Sequence, residues 1–317
     1  MRYGYQSNFL DGFEISLPEP NLNLMGDVLS IASADTANYV IPYIHYSLAM
    51  SRSTKQAIFS AANVDNNLQK VVSGKKGRKW FIDDRVGKVN QITNDAYSHS
   101  PWDRGHLTRR TAVTWGTEEI ALQASNDSCA YTNASMQHEN FNEDEWRVPE
   151  KAVADFELAK DKKLIVMTGP VFTTCDRYFS KTVGFEPVRI PAGFWKTLTY
   201  LDSGSQLVTG AYLFFQDIDS LRTRTGKKRI KPRSFRITTT ELQLWTGLKF
   251  DHQMFVSNPL KFFDGPEAIR VKEFKELTSR QKALLAAGIV EGTDYQAIRE
   301  VMKVSELEEL IEELCWY

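Results

Sequence analysis

Three runs of β-branched and aromatic residues do most to limit the fold. Lys163 to Met167 is a compact apolar stretch closed by Thr-Gly-Pro, the pattern of a buried strand with a turn behind it. Phe194 to Leu201 and Gln206 to Phe215 are two more. Val40 to Met50 and Phe235 to Thr239 read as further strands. Helical composition falls at residues 117–127, at Glu150 to Ala159 and at Glu241 to Thr246, the last stopped by Gly247. Ser51 to Gln69 fits either a helix or a strand-to-loop passage. No regular βαβ rhythm links these elements. The mixture implies an α+β domain around a mostly antiparallel sheet.

Composition supports a folded chain. Of 317 residues, 42% are hydrophobic and 12% aromatic, which supplies a sizeable core and excludes wholesale disorder. No stretch approaches the about 18 consecutive apolar residues of a membrane span, so no membrane partner is expected. Met1 to Asp11 shows no basic segment followed by an apolar one, and the expected address is the cytoplasm. Cys129, Cys175 and Cys315 are too few and too widely spaced for a disulfide framework or a Cys-x-x-Cys metal site.

Charge divides the chain. From Ser257 onward there are 8 basic and 12 acidic residues, whereas the first 256 carry 31 basic and 28 acidic. The division expected is a main domain over residues 1–256, with an N-terminal arm at 1–39 punctuated by Gly4, Gly12, Pro18 and Pro20, and a small helical module at 257–317. Ser305 with Glu308 is a capping box for the last helix of that module.

The chemistry-bearing signal is Asp103-Arg104-Gly105-His106. Downstream come Asn133-Ala134-Ser135-Met136-Gln137, then Asn142, Trp146 and Glu150. Upstream is Arg78-Lys79-Trp80, and further on Thr168-Gly169-Pro170, Phe194-Trp195-Lys196 and Thr246-Gly247-Leu248. This ordered set resembles the DNA/RNA non-specific endonucleases, the ββα-metal nucleases that cleave sugar–phosphate backbones. The resemblance covers roughly residues 40–256. It implies a ββα-metal fold and hydrolysis of DNA, with RNA as a second substrate, at little sequence preference. The implied cofactor is Mg²⁺, with Mn²⁺ as a substitute. The implied products carry 5′-phosphate and 3′-hydroxyl ends.

The implied roles agree with phosphodiester chemistry, which needs a base for water, a cation on the phosphate and donors for the developing charge. His106 is the expected general base, since an imidazole is mostly neutral at pH 7. Asn142 is the expected metal ligand and Glu150 the holder of metal-bound waters. Arg78 and Arg104 are the expected phosphate clamps. Asn133 would orient the histidine or its water network. Asp103 would fix the loop, and Gly105 would allow a close turn. Trp80, Trp146 and Trp195 read as core residues. His45, His99, His138 and His252 read as structural.

A second basic stretch, Arg222, Arg224, Lys227, Lys228, Arg229, Lys231, Arg233 and Arg236, holds eight positive charges in fifteen residues and no acid. It fits a solvated loop and a backbone-tracking nucleic-acid surface about equally. Two departures from the family pattern stand out. Met136 takes the place of the usual proline, which should loosen a turn, and Ala154 takes the place of a frequent arginine. A second reading is therefore a catalytically weakened nucleic-acid-binding or scaffold protein acting through its helical tail. A nuclease without sequence preference needs restraint. Residues 257–317 are the expected contact for a protein partner or a second copy, within a bacterial defence system against invading nucleic acid.

Overall fold

The computed structural model describes residues 2–31, 39–72, 79–138, 163–174, 176–183, 185–216 and 233–260. Along the chain run β1 (Ile41–Pro42), β2 (Tyr46–Met50), β3 (Ala57–Asp65), β4 (Trp102–His106), β5 (Ala134–His138), β6 (Lys163–Val171), β7 (Gly193–Leu201), β8 (Leu207–Phe215) and β9 (Arg233–Ile237). The longer connections carry α1 (Arg110–Val113), α2 (Glu118–Asp127), α3 (Thr239–Thr246) and α4 (His252–Val256). One seven-stranded sheet has the order β9-β8-β7-β6-β3-β2-β1, and all its neighbours are antiparallel. The α+β class expected from the sequence is the one found.

Both faces of this sheet are covered. Phe194 and Trp195 are successive residues of β7, so they point to opposite faces, and both are fully buried. The Trp195 face packs under Leu10, Ile15, Leu242, Trp245 and Met254, from the N-terminal segment and from α3 and α4. The Phe194 face packs under Leu107, Val113 and Ala124, from the chain around α1 and α2. Burial of each such large side chain stabilises the fold by about 1.5–3 kcal/mol. The N-terminal segment is stitched to the end of the domain as well. Glu19–Pro20 pairs with Leu248–Lys249, and Ser16 N–H donates to Asp251 Oδ2 at 2.9 Å.

Local sequence sets the element ends. Thr238 and Glu241 form a reciprocal capping box at α3, and Gly247, at φ +67°, closes that helix in the left-handed region. Two expectations need correction. Val40 to Met50 is not one strand, because His45 turns the chain at φ +67° between β1 and β2. Thr168-Gly169-Pro170 is not a turn but the continuation of β6, whose partner across the sheet is β7. Gly169 is needed there because an added Cβ would lie 2.4 Å from the Ile58 carbonyl oxygen.

The pair β4–β5 stands outside the central sheet. Its free edge is satisfied by glutamine side chains. Gln56 Oε1 accepts from Met136 N–H at 3.1 Å and from Ser135 Oγ at 2.6 Å. Gln216 Oε1 accepts from His138 N–H at 3.1 Å, and its Nε2 donates to the carbonyls of Met136 at 3.1 Å and Pro191 at 2.7 Å. Both amides are buried, so the exchange leaves few backbone groups of β5 wanting partners. Met136 is therefore mid-strand, with its N–H and carbonyl both engaged. No turn is there to loosen. A proline would remove the N–H that Gln56 receives.

Candidate active site

His106 is the last residue of β4, and Arg104 lies two positions earlier, so both leave the same face. The opposite strand contributes Ala134 beside His106 and Met136 beside Arg104. The His106 ring packs against Trp80 at 4.7 Å between centroids, tilted by 45°. The Arg104 guanidinium lies 5.7 Å from the centroid of the same indole, and its Nη1 donates to Asn94 Oδ1 at 3.1 Å. Behind Trp80 stand Tyr131, stacked at 5.8 Å, and Tyr97, stacked on Tyr131 at 6.4 Å. A base and a permanent cation thus share one aromatic wall.

Asp103 and Gly105 lie on the other face of β4, opposite Gln137 and Ser135. Gly105 is not in a turn and is not among the glycines with positive φ. It is glycine because the Gln137 side chain crosses it: an added Cβ would lie 2.0 Å from Gln137 Cδ. Asp103 is likewise in a strand rather than a loop.

Asn133 is fully buried. Its Nδ2 donates to the carbonyls of Thr108 at 2.9 Å and Ser128 at 3.0 Å. Its Oδ1 accepts from Thr108 N–H at 2.9 Å and from Ser60 Oγ of β3 at 3.4 Å. Its own carbonyl accepts from Leu107 N–H at 2.9 Å. Asn133 therefore pins the two residues that follow His106. The residue before it, Thr132, shares a 2.6 Å hydrogen bond with the Tyr43 hydroxyl, which also donates to Asp83. Burial would raise the Asp83 carboxyl, but the Arg85 fork and the Tyr43 hydroxyl outweigh it and hold the group below its ordinary value. Burial and Asp83 together push the Tyr43 phenol up. This network makes the turn before β5 a rigid support.

Arg78, Asn142, Glu150, Ala154, Arg222, Arg224, Lys227, Lys228 and Arg229 lie outside the described residues, as do residues 261–317 of the expected helical module. Among the described residues no cluster of three His, Cys, Asp or Glu side chains is arranged to hold a metal ion. Asn142, the expected metal ligand, is not among those residues. No helix of the described residues is long and apolar enough to cross a membrane.

Sequence reasoning did not single out Gln56, Gln216, Tyr43, Asp83 or Tyr131, and it placed Trp80 in the Arg78-Lys79-Trp80 element but read its side chain as core. His138 is buried edge-on to Trp102, and His252 opens α4. His45 stacks on Trp115 at 3.4 Å, and burial lowers its pKa to about 4 against the weaker pull of the Trp115 carbonyl and Asp65. The unfolded chain binds a proton at His45 below about pH 6.5, where the folded chain still does not. The stability tied to neutral His45 is thus complete above pH 6.5 and is lost as pH falls toward 4. Urea midpoints should show the advantage of wild type over His45→Asn shrinking across that window. A constant difference from pH 7 to pH 4 would contradict this.

The DNA/RNA non-specific endonuclease family matches residues 30–256. The chain is 28% identical over 286 residues to the uncharacterized protein y4fB of Sinorhizobium fredii, covering 85% of this chain and 41% of that protein. It is 26% identical over 137 residues to human mitochondrial endonuclease G, covering 41% of this chain and 44% of that one. The chain thus spans less than half the length of these curated relatives. A crystal structure of the EndoG/EndoGI complex has a similar fold, with a TM-score of 0.52, 16% identity, and coverage of 69% of this chain and 87% of that one. The match over most of the chain, with His106 and Arg104 within it, settles its kinship: this protein belongs to the DNA/RNA non-specific endonuclease family.

Proposed function

We propose that the chain is an endonuclease that hydrolyses phosphodiester bonds of DNA, and of RNA as a second substrate, with little sequence preference. The observation that carries this reading is the pairing of His106 with Arg104 on one face of β4 against Trp80. His106 accepts the proton of the attacking water. Arg104 binds the phosphate and offsets its charge. Arg78 would be the second phosphate clamp, and Glu150 would order water at a bound metal. Mg²⁺, or Mn²⁺ in its place, bound through Asn142 would supply charge stabilisation at the phosphate and the leaving oxygen. Asn133 acts through the backbone after His106, and Asp103 through the strand pair.

The basic stretch from Arg222 to Arg236 tracks the phosphate backbone, which makes binding salt-sensitive. The acidic segment 257–317 is repelled by nucleic acid and serves as the contact for a restraining protein or a second copy. That restraint fits a cytoplasmic effector that degrades invading nucleic acid.

Supercoiled plasmid tests the core of this reading. With Mg²⁺ the purified chain should give nicked and linear forms and then a smear, and EDTA should stop it. Discrete bands would overturn the lack of sequence preference. Tight plasmid binding without cleavage in Mg²⁺ or Mn²⁺ would favour the weakened binding protein.

A further inference from the structure

We infer that Trp80 is a positioning residue for both His106 and Arg104, an inference that deepens the nuclease reading and rests on it. The indole touches the base and the phosphate-binding cation at once, at 4.7 Å and 5.7 Å between the centres given above. Neither side chain leaves the strand with its orientation fixed, because each turns about its own side-chain torsions. A flat aromatic wall removes that freedom for the imidazole.

The wall also suits the charge. An aromatic face attracts a guanidinium, and it attracts the imidazolium formed when His106 takes the proton from water. Trp80 is itself held on two sides. Its ring stacks on Tyr131, and the next residue is locked by backbone bonds, Phe81 N–H to the Cys129 carbonyl at 3.1 Å and Tyr131 N–H to the Phe81 carbonyl at 3.0 Å. The segment before β5 therefore sets the position of the indole, and the indole sets the base at the end of β4. Trp80 makes no bond in the reaction. It fixes where the proton acceptor and the clamp sit relative to one another, and displacements of about 1 Å in such groups cost about 10²-fold in rate.

The test compares the full chain with Trp80→Phe and Trp80→Leu. Cleavage of a short duplex is measured as kcat and KM, with thermal melting as a control on folding. Trp80→Leu should lower kcat by about 30- to 100-fold, and Trp80→Phe, which keeps a ring, should recover most of it. KM should change less than kcat. Equal loss in both variants, or a kcat within about threefold of wild type in Trp80→Leu, would overturn the inference.

A second readout does not depend on cleavage. The five histidines allow a ¹³Cε1-histidine spectrum to be assigned, with the His106 signal identified by its loss in His106→Gln. That signal should carry a ring-current shift that disappears in Trp80→Leu and persists in part in Trp80→Phe. An unshifted His106 signal overturns the inference even if the wild-type chain cleaves. A shifted signal in a chain that does not cleave keeps the packing and overturns the nuclease reading instead.

Discussion

His106→Asn should abolish plasmid nicking while leaving the fold intact. Among the described residues of β4, His106 alone carries an imidazole, on the face shared with Arg104, and an imidazole is the usual general base. Positioned proton transfer accounts for about 10²–10⁴-fold in rate, so a loss of that size is the expected result. Asparagine keeps a small polar side chain but has no basic nitrogen. The ring is only partly buried, and the strand pair around it is held by backbone bonds and by Gln56 and Gln216, so melting should move by only a few degrees. Retention of more than about a tenth of the wild-type rate would mean another group is the base. Arg104→Met separates the roles. In the proposed role it should raise KM as well as lower kcat, because the guanidinium would hold the phosphate in the ground state and more strongly as charge builds in the transition state.

The sequence was most legible where chemistry and local geometry coincide. Asp103 to His106 can be found by its residue types alone, and the helix stop at Gly247 needs only short-range rules. The long strands were visible as apolar runs, though their ends were not. Thr168-Gly169-Pro170 looks like a turn in isolation and becomes a strand only because β7 lies alongside it. Gly105 has the same lesson in reverse, since its need for glycine comes from Gln137, thirty-two positions away in the sequence and opposite neighbours' side chains in space. Gln56 and Gln216 had no local signal at all. A lone glutamine beside an apolar run is unremarked until a strand with an open edge is placed against it. Trp80 was read as core because aromatic residues usually are, and only its shared contact with His106 and Arg104 separates it from that default.

Asn133→Ala should be the most destabilising polar change near the site. The native side chain satisfies the Thr108 N–H, the Thr108 carbonyl and the Ser128 carbonyl, all in a fully buried position. Truncation leaves those groups to share whatever rearrangement allows. An unsatisfied buried group costs about 1–3 kcal/mol, so the total is on the order of 3–5 kcal/mol. For a domain of this size that lowers Tm by about 10 °C or more. Ser60→Ala provides the scale, because it removes only a 3.4 Å contact to Asn133 and a 2.6 Å bond to Thr108 Oγ1. Its cost should stay near about 1 kcal/mol. Asn133→Asp should be worse than alanine. A carboxylate still accepts from Thr108 N–H but sets negative charge against two carbonyl oxygens that the amide had bonded. Cleavage measured well below the melting temperature should still fall about 10²-fold in Asn133→Ala, since Thr108 loses the side-chain tether that fixes the chain beyond His106, while the bond from Leu107 N–H to the carbonyl of residue 133 remains. If Asn133→Ala melts within about 2 °C of wild type, the buried network is not what holds that turn. If it melts early but cleaves normally at low temperature, Asn133 supports the fold without positioning the base.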